Sequence, residues 1–544
     1  MSCYISPTRD RRLQRVLSLD QSDFPSCIFS MQFILISICI LLHLCFCLND
    51  NGCPKNCICE NEKSIQCYRV HAVPSGTAKD TRKLNLGYNH IKDLKRCDFT
   101  GLTQLEEIVL SSCGIESIEV NTFKSQSHLK TLELLKNKLK HMPRGLPHSL
   151  EILKLGNNRI QHLQESAVDG LRNLRVLDLQ NNLISSLRGN TFTSLLKLES
   201  LYLDGNQIES LMGSPKLPQL RQLSIANNKI PSLPANFFAS LQSLKMLSLS
   251  GNHLVKVPQD LPQTLGSLNL DLNQIRALRS REMGHLKHLS VLSVAHNKLV
   301  SIDGSLRLPN LTMIELSGNH MRLLPSKLTA KLEKLDCRQN LIREVTQQEL
   351  SGMNQLKHLF LENNLIHHFE AAALKNCLRL TSLALEQNFL SAIPEGLPET
   401  LIRLDLKGNH IAVIQEQELK SLKRLQVLNL RNNKLSSLNA MALEMLPRLR
   451  KVYLDGNPWN CSCELLRVKR RLLARQVEIH TEFCTDPLQA QGDSWRDHLR
   501  AQDKCEEHIR GTAQDPQERK SKSTARTALP EQTEIEEYYD YDTE

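Results

Sequence analysis

The chain has 544 residues with 68 Lys or Arg and 58 Asp or Glu, for a formal charge of +10. That figure hides two regions, because seven acids fall within the last fourteen residues and leave +17 on the remainder. A basic body of this kind suits polyanions, but the N-terminal signals described next point outside the cell and exclude nucleic acid as the partner.

The first thirty residues are polar and carry Arg9, Arg11, Arg12 and Arg15. Met31 then opens an apolar run from Phe33 to Phe46. About 14 apolar residues are too few to span a bilayer and suit the core of a signal peptide. Cys45 and Cys47 supply small residues at −3 and −1, so cleavage is expected between Cys47 and Leu48. Residues 1–47 are therefore read as a signal peptide with an N-terminal extension, which is either a long n-region or translation from an upstream start. No second long apolar segment follows, so the mature chain is expected to be secreted, without a membrane anchor, in an oxidising compartment.

Residues 48–82 hold the first cysteine cluster, Cys53-x₃-Cys57-x-Cys59-x₇-Cys67. A second cluster, Cys461-x-Cys463-x₂₀-Cys484-x₂₀-Cys505, occupies residues 457–506. Zinc is the rival ligand for such clusters, but neither spacing fits a four-ligand finger and the compartment is oxidising. Disulfides are expected instead, with three connectivities open in each cluster.

Between the clusters, residues 83–456 repeat one pattern seventeen times: Leu-x-x-Leu-x-Leu-x-x-Asn, as in Leu177-Asp-Leu179-Gln-Asn-Asn182. The asparagine positions recur every 21 to 24 residues, and sixteen of the seventeen are Asn, with Cys113 the exception. This period and pattern mark a leucine-rich repeat solenoid, an α/β horseshoe with a parallel concave sheet. In Leu-x-Leu the alternation sends the leucines to one face of a short strand and the x residues to the other. One repeat cannot bury its leucines alone, so stacking is obligatory. The Asn amide donates and accepts together, which suits it to satisfy backbone groups of adjoining loops. Four shorter repeats are marked by proline at Pro143, Pro258, Pro325 and Pro394. Proline favours extended or polyproline return segments there, while the 24-residue repeats have room for a turn or a short 3₁₀ piece. Seventeen strands at 4.8 Å give a concave edge on the order of 80 Å. The disulfide clusters then read as caps over the two ends of the core.

The x positions of the strands line the concave face. In the middle repeats they are small and bland, as in Gln222, Ser224 and Ala226. Later repeats carry Lys334, Asp336 and Arg338; His358, Phe360 and Glu362; Arg403, Asp405 and Lys407; then Arg431 and Tyr453. Exposed aromatics and arginines among charges of both signs have the composition of a protein interface. Asp178, Tyr202 and Asp204 form an earlier, weaker candidate. The plainer alternative is that these charges keep the sheet soluble through cross-strand pairs. Cys97, Cys113, Cys337 and Cys377 have no evident partners; buried thiols are expected, with a Cys97–Cys113 bridge as the alternative.

Residues 507–544 hold few large apolar side chains and cannot form a core, so disorder is expected. They end in Tyr538, Tyr539 and Tyr541 among seven acids, a context for tyrosine sulfation in a secreted protein. A basic cluster, Arg467, Lys469, Arg470, Arg471 and Arg475, matches heparan sulfate or this acidic tail. Asn310-Leu-Thr312 is an N-glycosylation sequon, whereas Asn460-Cys-Ser462 is held by a cysteine expected to be bridged. Trp459 and Trp495 are expected to bury against the last repeat. No metalloprotease, P-loop or nucleophile-elbow motif occurs, so neither enzyme activity nor a cofactor is expected.

The first cysteine cluster followed by alternating short and long repeats resembles the small leucine-rich proteoglycans of extracellular matrix. The segment Asn457-Pro458-Trp459-Asn-Cys461-Ser-Cys463 departs from decorin-like members and is similar to the four-cysteine cap of chondroadherin, Slit proteins and Toll-like receptor ectodomains. The resemblance implies first-to-third and second-to-fourth bridges, that is Cys53–Cys59, Cys57–Cys67, Cys461–Cys484 and Cys463–Cys505. It also implies partners among fibrillar collagens, receptors and growth factors of the transforming growth factor β class. The Ser-Gly pairs lack the acidic setting that a glycosaminoglycan chain requires. The expectation is a secreted matrix protein that binds proteins through its concave face and tail and inhibits growth-factor signalling of that class. A collagen-binding matrix organiser and an adhesion or pattern-recognition ectodomain are the alternatives.

Overall fold

The computed structural model describes residues 53–60, 63–459 and 463–480. Twenty strands form one sheet, and all but its first pairing are parallel and follow chain order. The strands are three residues long in every repeat, from Lys83–Asn85 through Lys334–Asp336 to Lys451–Tyr453. Their register stacks the middle apolar residue of each repeat on the next: Leu84 on Ile108, Ile108 on Leu132, Leu132 on Leu153. Each of these side chains is buried, as are Phe99, Phe123, Phe192 and Phe238 from the return segments. The leucines of the sheet and the phenylalanines of the convex side thus fill one continuous core.

The asparagine ladder supplies what this core cannot. Asn252 Nδ2 donates to Ile225 O at 2.9 Å in the preceding repeat and to Leu249 O at 3.0 Å in its own, while its Oδ1 accepts from Ile230 N at 3.0 Å. Asn137, Asn182 and Asn364 make equivalent sets. Cys113 keeps half of this pattern: its thiol reaches Leu86 O, and its own carbonyl replaces the missing amide oxygen by accepting from Ile91 N at 3.0 Å. The residue before the ladder position has a positive φ in all seventeen repeats. Ten of these are Asn or Gly, which adopt that conformation cheaply. Tyr88, Ser112, Lys136, Leu272, His296, Gln339 and Gln387 are held there by the repeat.

The convex side differs from the expectation of 3₁₀ and polyproline segments. One 3₁₀ turn is present at Gly189–Phe192, but five of the 24-residue repeats carry a single α-helical turn, such as Gln347–Leu350 and Glu416–Leu419. In three of the five the support is local: Thr346 with Glu349 and Gln415 with Glu418 close capping boxes, the Thr346 amide donating to Glu349 Oε2 at 3.0 Å and the Gln415 amide to Glu418 Oε2 at 2.8 Å, and Asn439 accepts from the Met441 amide. Short parallel ribbons such as Ser186–Arg188 with Ser210–Met212 link neighbouring returns.

Both ends are covered. Strand Cys57–Glu60 folds antiparallel onto Ser64–Cys67, which continues the sheet in parallel to Lys83–Asn85. Cys53 is bonded to Cys59 and Cys57 to Cys67. At the far end, helix Cys463–Ala474 buries Leu465, Val468 and Leu472 against the last repeats, and strand Glu478–His480 adds to Lys451–Tyr453. Trp459 is half-buried, and its indole N–H donates to Leu454 O at 3.0 Å. The other C-terminal cysteines, Cys461, Cys484 and Cys505, lie outside the described residues with Trp495, and the structure describes only the backbone of Cys463. Cys97 is exposed and Cys113, Cys337 and Cys377 are buried, all four as free thiols, so the alternative of a Cys97–Cys113 bridge does not hold. Among the described residues no helix is long and apolar enough to cross a membrane.

Candidate partner-binding face

Among the described residues the return segments lie on the convex side, so the x residues of the sheet face outward on the concave side. Towards the N-terminal end these residues pair across strands: Lys83 with Glu107 at 3.1 Å, Lys154 with Glu133 at 2.6 Å. The weaker candidate is similarly self-satisfied. Tyr202 donates to Gln222 Oε1 at 3.0 Å, and Asp204 accepts from Ser224 Oγ and from the Ala226 amide.

Two clusters stand out in the later repeats. In the first, Arg338 grips Asp336 through Nε at 3.1 Å and Nη2 at 2.6 Å, and Asp336 is only 1 % exposed. Lys334 bonds Glu315 at 3.0 Å. Phe360 lies beneath both cations, 5.7 Å from Lys334 Nζ and 5.5 Å from the Arg338 guanidinium carbon, with the His358 ring parallel at 6.2 Å. Phe360 is therefore 8 % exposed, which corrects the expectation of an exposed aromatic. Cation–π attraction draws the flexible basic chains down over the ring, and period-two alternation alone could not reveal this. Glu362, next in the row, is 6 % exposed, and its Oε2 has no hydrogen-bond partner among the described residues.

The second cluster is built on Tyr453. Arg431 covers its ring at 4.5 Å and closes on Asp455, while His480 stacks on the other side at 4.6 Å. Asp405 accepts from Asn429 Nδ2 at 2.9 Å and from the Lys407 amide at 3.0 Å, and burial raises its carboxyl pKa. Arg403 is exposed at the adjoining edge. Strand Ser382–Ala384 separates the clusters with two small side chains. Sequence reading places Asp455 with Tyr453 on this face and missed Glu315 and His480. Glu315 stands in the same repeat column as the chosen residues and was legible there, but His480 comes from a cap strand outside the repeat pattern.

Asn310 lies on the rim, half-buried, donating to Lys287 O at 2.8 Å and accepting from Lys331 Nζ at 2.6 Å. On helix Cys463–Ala474, Arg467, Arg470 and Arg471 are exposed, with Arg471 closing on Glu444; Arg475 follows the helix and donates to Leu446 O at 2.5 Å. Tyr538, Tyr539 and Tyr541 lie outside the described residues.

Burial pushes the Glu362 carboxyl up to about 8; its own amide and Arg338 oppose the rise, and Asp336 and Glu386 add to it. A carboxyl raised in the folded state binds a proton that the unfolded chain has lost, so it weakens the fold as pH climbs from its unfolded value towards 8. Glu362→Gln is thus expected to stabilise the repeat by on the order of 4 kcal/mol at pH 8 and under about 1 kcal/mol at pH 5. Urea unfolding at both pH values checks this, and equal effects at the two would show that the carboxyl is ionised in the native state.

A leucine rich repeat family model matches residues 148–208, 214–261, 263–321, 330–390 and 399–458, and a BspA type leucine rich repeat region model of six copies matches 79–145. Mouse nephrocan is 48% identical over 473 residues, covering 87% of this chain and 91% of nephrocan. Mouse podocan-like protein 1 is 31% identical over 76% of this chain and 68% of its own length. Rabbit decorin is 32% identical over 36% of this chain and 55% of its own. Among solved structures, a leucine-rich repeat protein of Leptospira interrogans aligns with a TM-score of 0.60 at 27% identity, covering 74% of this chain and 96% of its own. The Toll protein of the Drosophila Toll–Spatzle complex shares the fold at 22% identity, with a TM-score of 0.60 over 74% of this chain and 57% of its own.

Proposed function

This chain belongs to the leucine-rich repeat family of nephrocan, podocan and decorin, extracellular binding proteins of the matrix type rather than enzymes, and we propose that it binds a growth factor of the transforming growth factor β class and inhibits its signalling. The observation that carries this reading is the pair of aromatic and arginine clusters on the C-terminal half of an open sheet. Aromatic rings held rigid by cations, with charge of both signs around them, are what interface hot spots consist of. The acidic tail with Tyr538, Tyr539 and Tyr541 would add long-range, salt-sensitive attraction for a basic partner, more so if sulfated. The exposed arginines of the C-terminal helix supply a second, basic surface suited to heparan sulfate, and Asn310 on the rim is the N-glycosylation site of this reading. Secretion and the two C-terminal bridges belong to the same proposal.

The test immobilises the mature chain and presents a growth factor of that class and fibrillar collagen in parallel, with and without residues 511–544. Growth-factor binding is expected, weakened at least about tenfold by Tyr453→Ala with Arg403→Ala and made less salt-dependent by removal of the tail. Collagen binding alone, indifferent to the tail, would replace the signalling role with that of a matrix organiser.

A further inference from the structure

We propose that the acidic run of this chain, residues 531–544, docks in cis on the edge of the last repeats where their strands begin, against Arg403, Arg424, Arg448, Arg450 and Lys451. The inference does not rest on the growth-factor reading. It concerns what the acidic run touches before any partner arrives.

Three observations lead there. The first is charge left unanswered. In the early repeats the residue just before each strand alternates in sign, through Arg82, Glu106, Lys130, Glu151, Arg175 and Glu199. Neighbours there close on one another, Arg82 on Glu106 at 3.1 Å and Arg175 on Glu199 at 2.7 Å. The alternation stops in the last repeats. Residues 400–403, 424–427 and 448–451 lead into strands Arg403–Asp405, Val427–Asn429 and Lys451–Tyr453, and they carry five basic side chains and no acid. All five are exposed. Among the described residues Lys451 alone of the five has an ion pair, with Glu478 at 3.0 Å, and Arg403 lies near enough to repel it. The register sets Arg403, Val427 and Lys451 side by side, so the five converge on an area roughly 10 Å across.

The second observation concerns the other basic cluster, on helix Cys463–Ala474. Arg471 closes on Glu444, Arg475 donates to Leu446 O, and Lys469 and Arg470 have partners as well. More unneutralised charge therefore stands on the edge than on the helix. The third is proximity. His480 ends the described residues on a strand one spacing from Lys451 and three from Arg403, about 5 and 14 Å. Glu531 follows about fifty residues later, and seven acids lie from it to Glu544. Fifty residues can reach far beyond 14 Å, and tethering replaces an encounter with an effective concentration in about the millimolar range. Single exposed ion pairs contribute little, but here several acids on one short segment meet several cations together. Docked there, the run shields the edge, and a sulfated glycan must displace it.

The test treats the full mature chain with a water-soluble carbodiimide, which joins a carboxylate to an ammonium in contact with it. Peptide mapping is expected to find links from Lys423, next to Arg424, or from Lys451 to residues 531–544. They should disappear at about 1 M salt, where the screening length falls to about 3 Å. Arg424→Gln, Arg448→Gln and Arg450→Gln together should cut their yield at least about fivefold, although both lysines remain. A heparin octasaccharide is then titrated into the full chain. Glu534→Gln, Glu536→Gln, Glu537→Gln, Asp540→Asn and Asp542→Asn together should tighten its binding about tenfold, and that gain should vanish where the three arginines are already Gln. Links confined to Lys469, Lys520 or Lys522 would overturn the docking, as would links that form only between a labelled and an unlabelled copy, or a yield indifferent to the arginines. A heparin affinity that depends on the arginines and not on the acids would make the edge a glycan site open from the outset. No growth factor enters these measurements, so their failure leaves the growth-factor reading standing, and loss of that reading leaves the docked run.

Discussion

Asn252→Ala is expected to cost about 2–4 kcal/mol of local stability, because it orphans one buried amide and takes one of two donors from each of two buried carbonyls. The amide is that of Ile230; the carbonyls of Ile225 and Leu249 keep Asn228 Nδ2 and Asn273 Nδ2 as their second donors. Ile230 is fully buried and Asn252 nearly so, which leaves the amide away from bulk solvent. The natural variation at Cys113 grades the series. There a thiol satisfies one carbonyl and the main chain satisfies the amide, so Asn252→Cys should lose about half as much, and Cys113→Asn should gain on the order of 1 kcal/mol. Hydrogen exchange is the suitable measurement, because a solenoid opens repeat by repeat and a global midpoint averages over units. Protection should fall at Ile230 and in the strands of the two adjoining repeats. Unchanged exchange there would mean that the ladder is decoration.

Phe238→Ala is the second large effect, expected at about 3–5 kcal/mol from lost transfer energy and the cavity left behind. Phe238 is fully enclosed on the convex side and meets Phe237 edge-on at 5.1 Å between ring centres. The surroundings cannot collapse into the gap. The backbone of each return is fixed by hydrogen bonds to its own turn and to the next repeat, as in Leu241 N to Phe238 O at 2.9 Å. Phe238→Leu should cost about 1–1.5 kcal/mol, as it retains most of the volume. Urea unfolding of the two variants checks the ratio. A similar cost for both would place the loss in the aromatic pair rather than in the cavity.

The face responds to such changes differently from the core. Phe360 is buried nearly as deeply as Phe238, yet what buries it is Lys334, Arg338 and the neighbouring His358 ring. Long basic side chains leave a ring far more easily than packed leucines do. A partner can therefore displace them and gain the ring as an anchor, which a core aromatic never offers.

Period and register were legible in the sequence because they depend on spacing alone. A leucine two residues from another, repeated every 21 to 24 residues with an asparagine after it, has one way to bury itself, and the seventeen strands lie where that spacing puts them. The columns of the concave face follow from the same count, which is why Lys334, Asp336, Arg403 and Tyr453 were found without coordinates. Only the tertiary structure decided how side chains close within those columns. Whether Arg338 turns to Asp336 two residues away or outward, whether Phe360 is covered, and whether Glu362 finds a partner depend on contacts within a strand and between adjoining repeats. Such contacts are short-ranged and steeply dependent on angle, so a repeat count constrains which side chains are neighbours and not which of them touch. His480 marks the same boundary: its place on the Tyr453 ring is set by the cap strand docking on the last repeat, and no periodicity reaches that far.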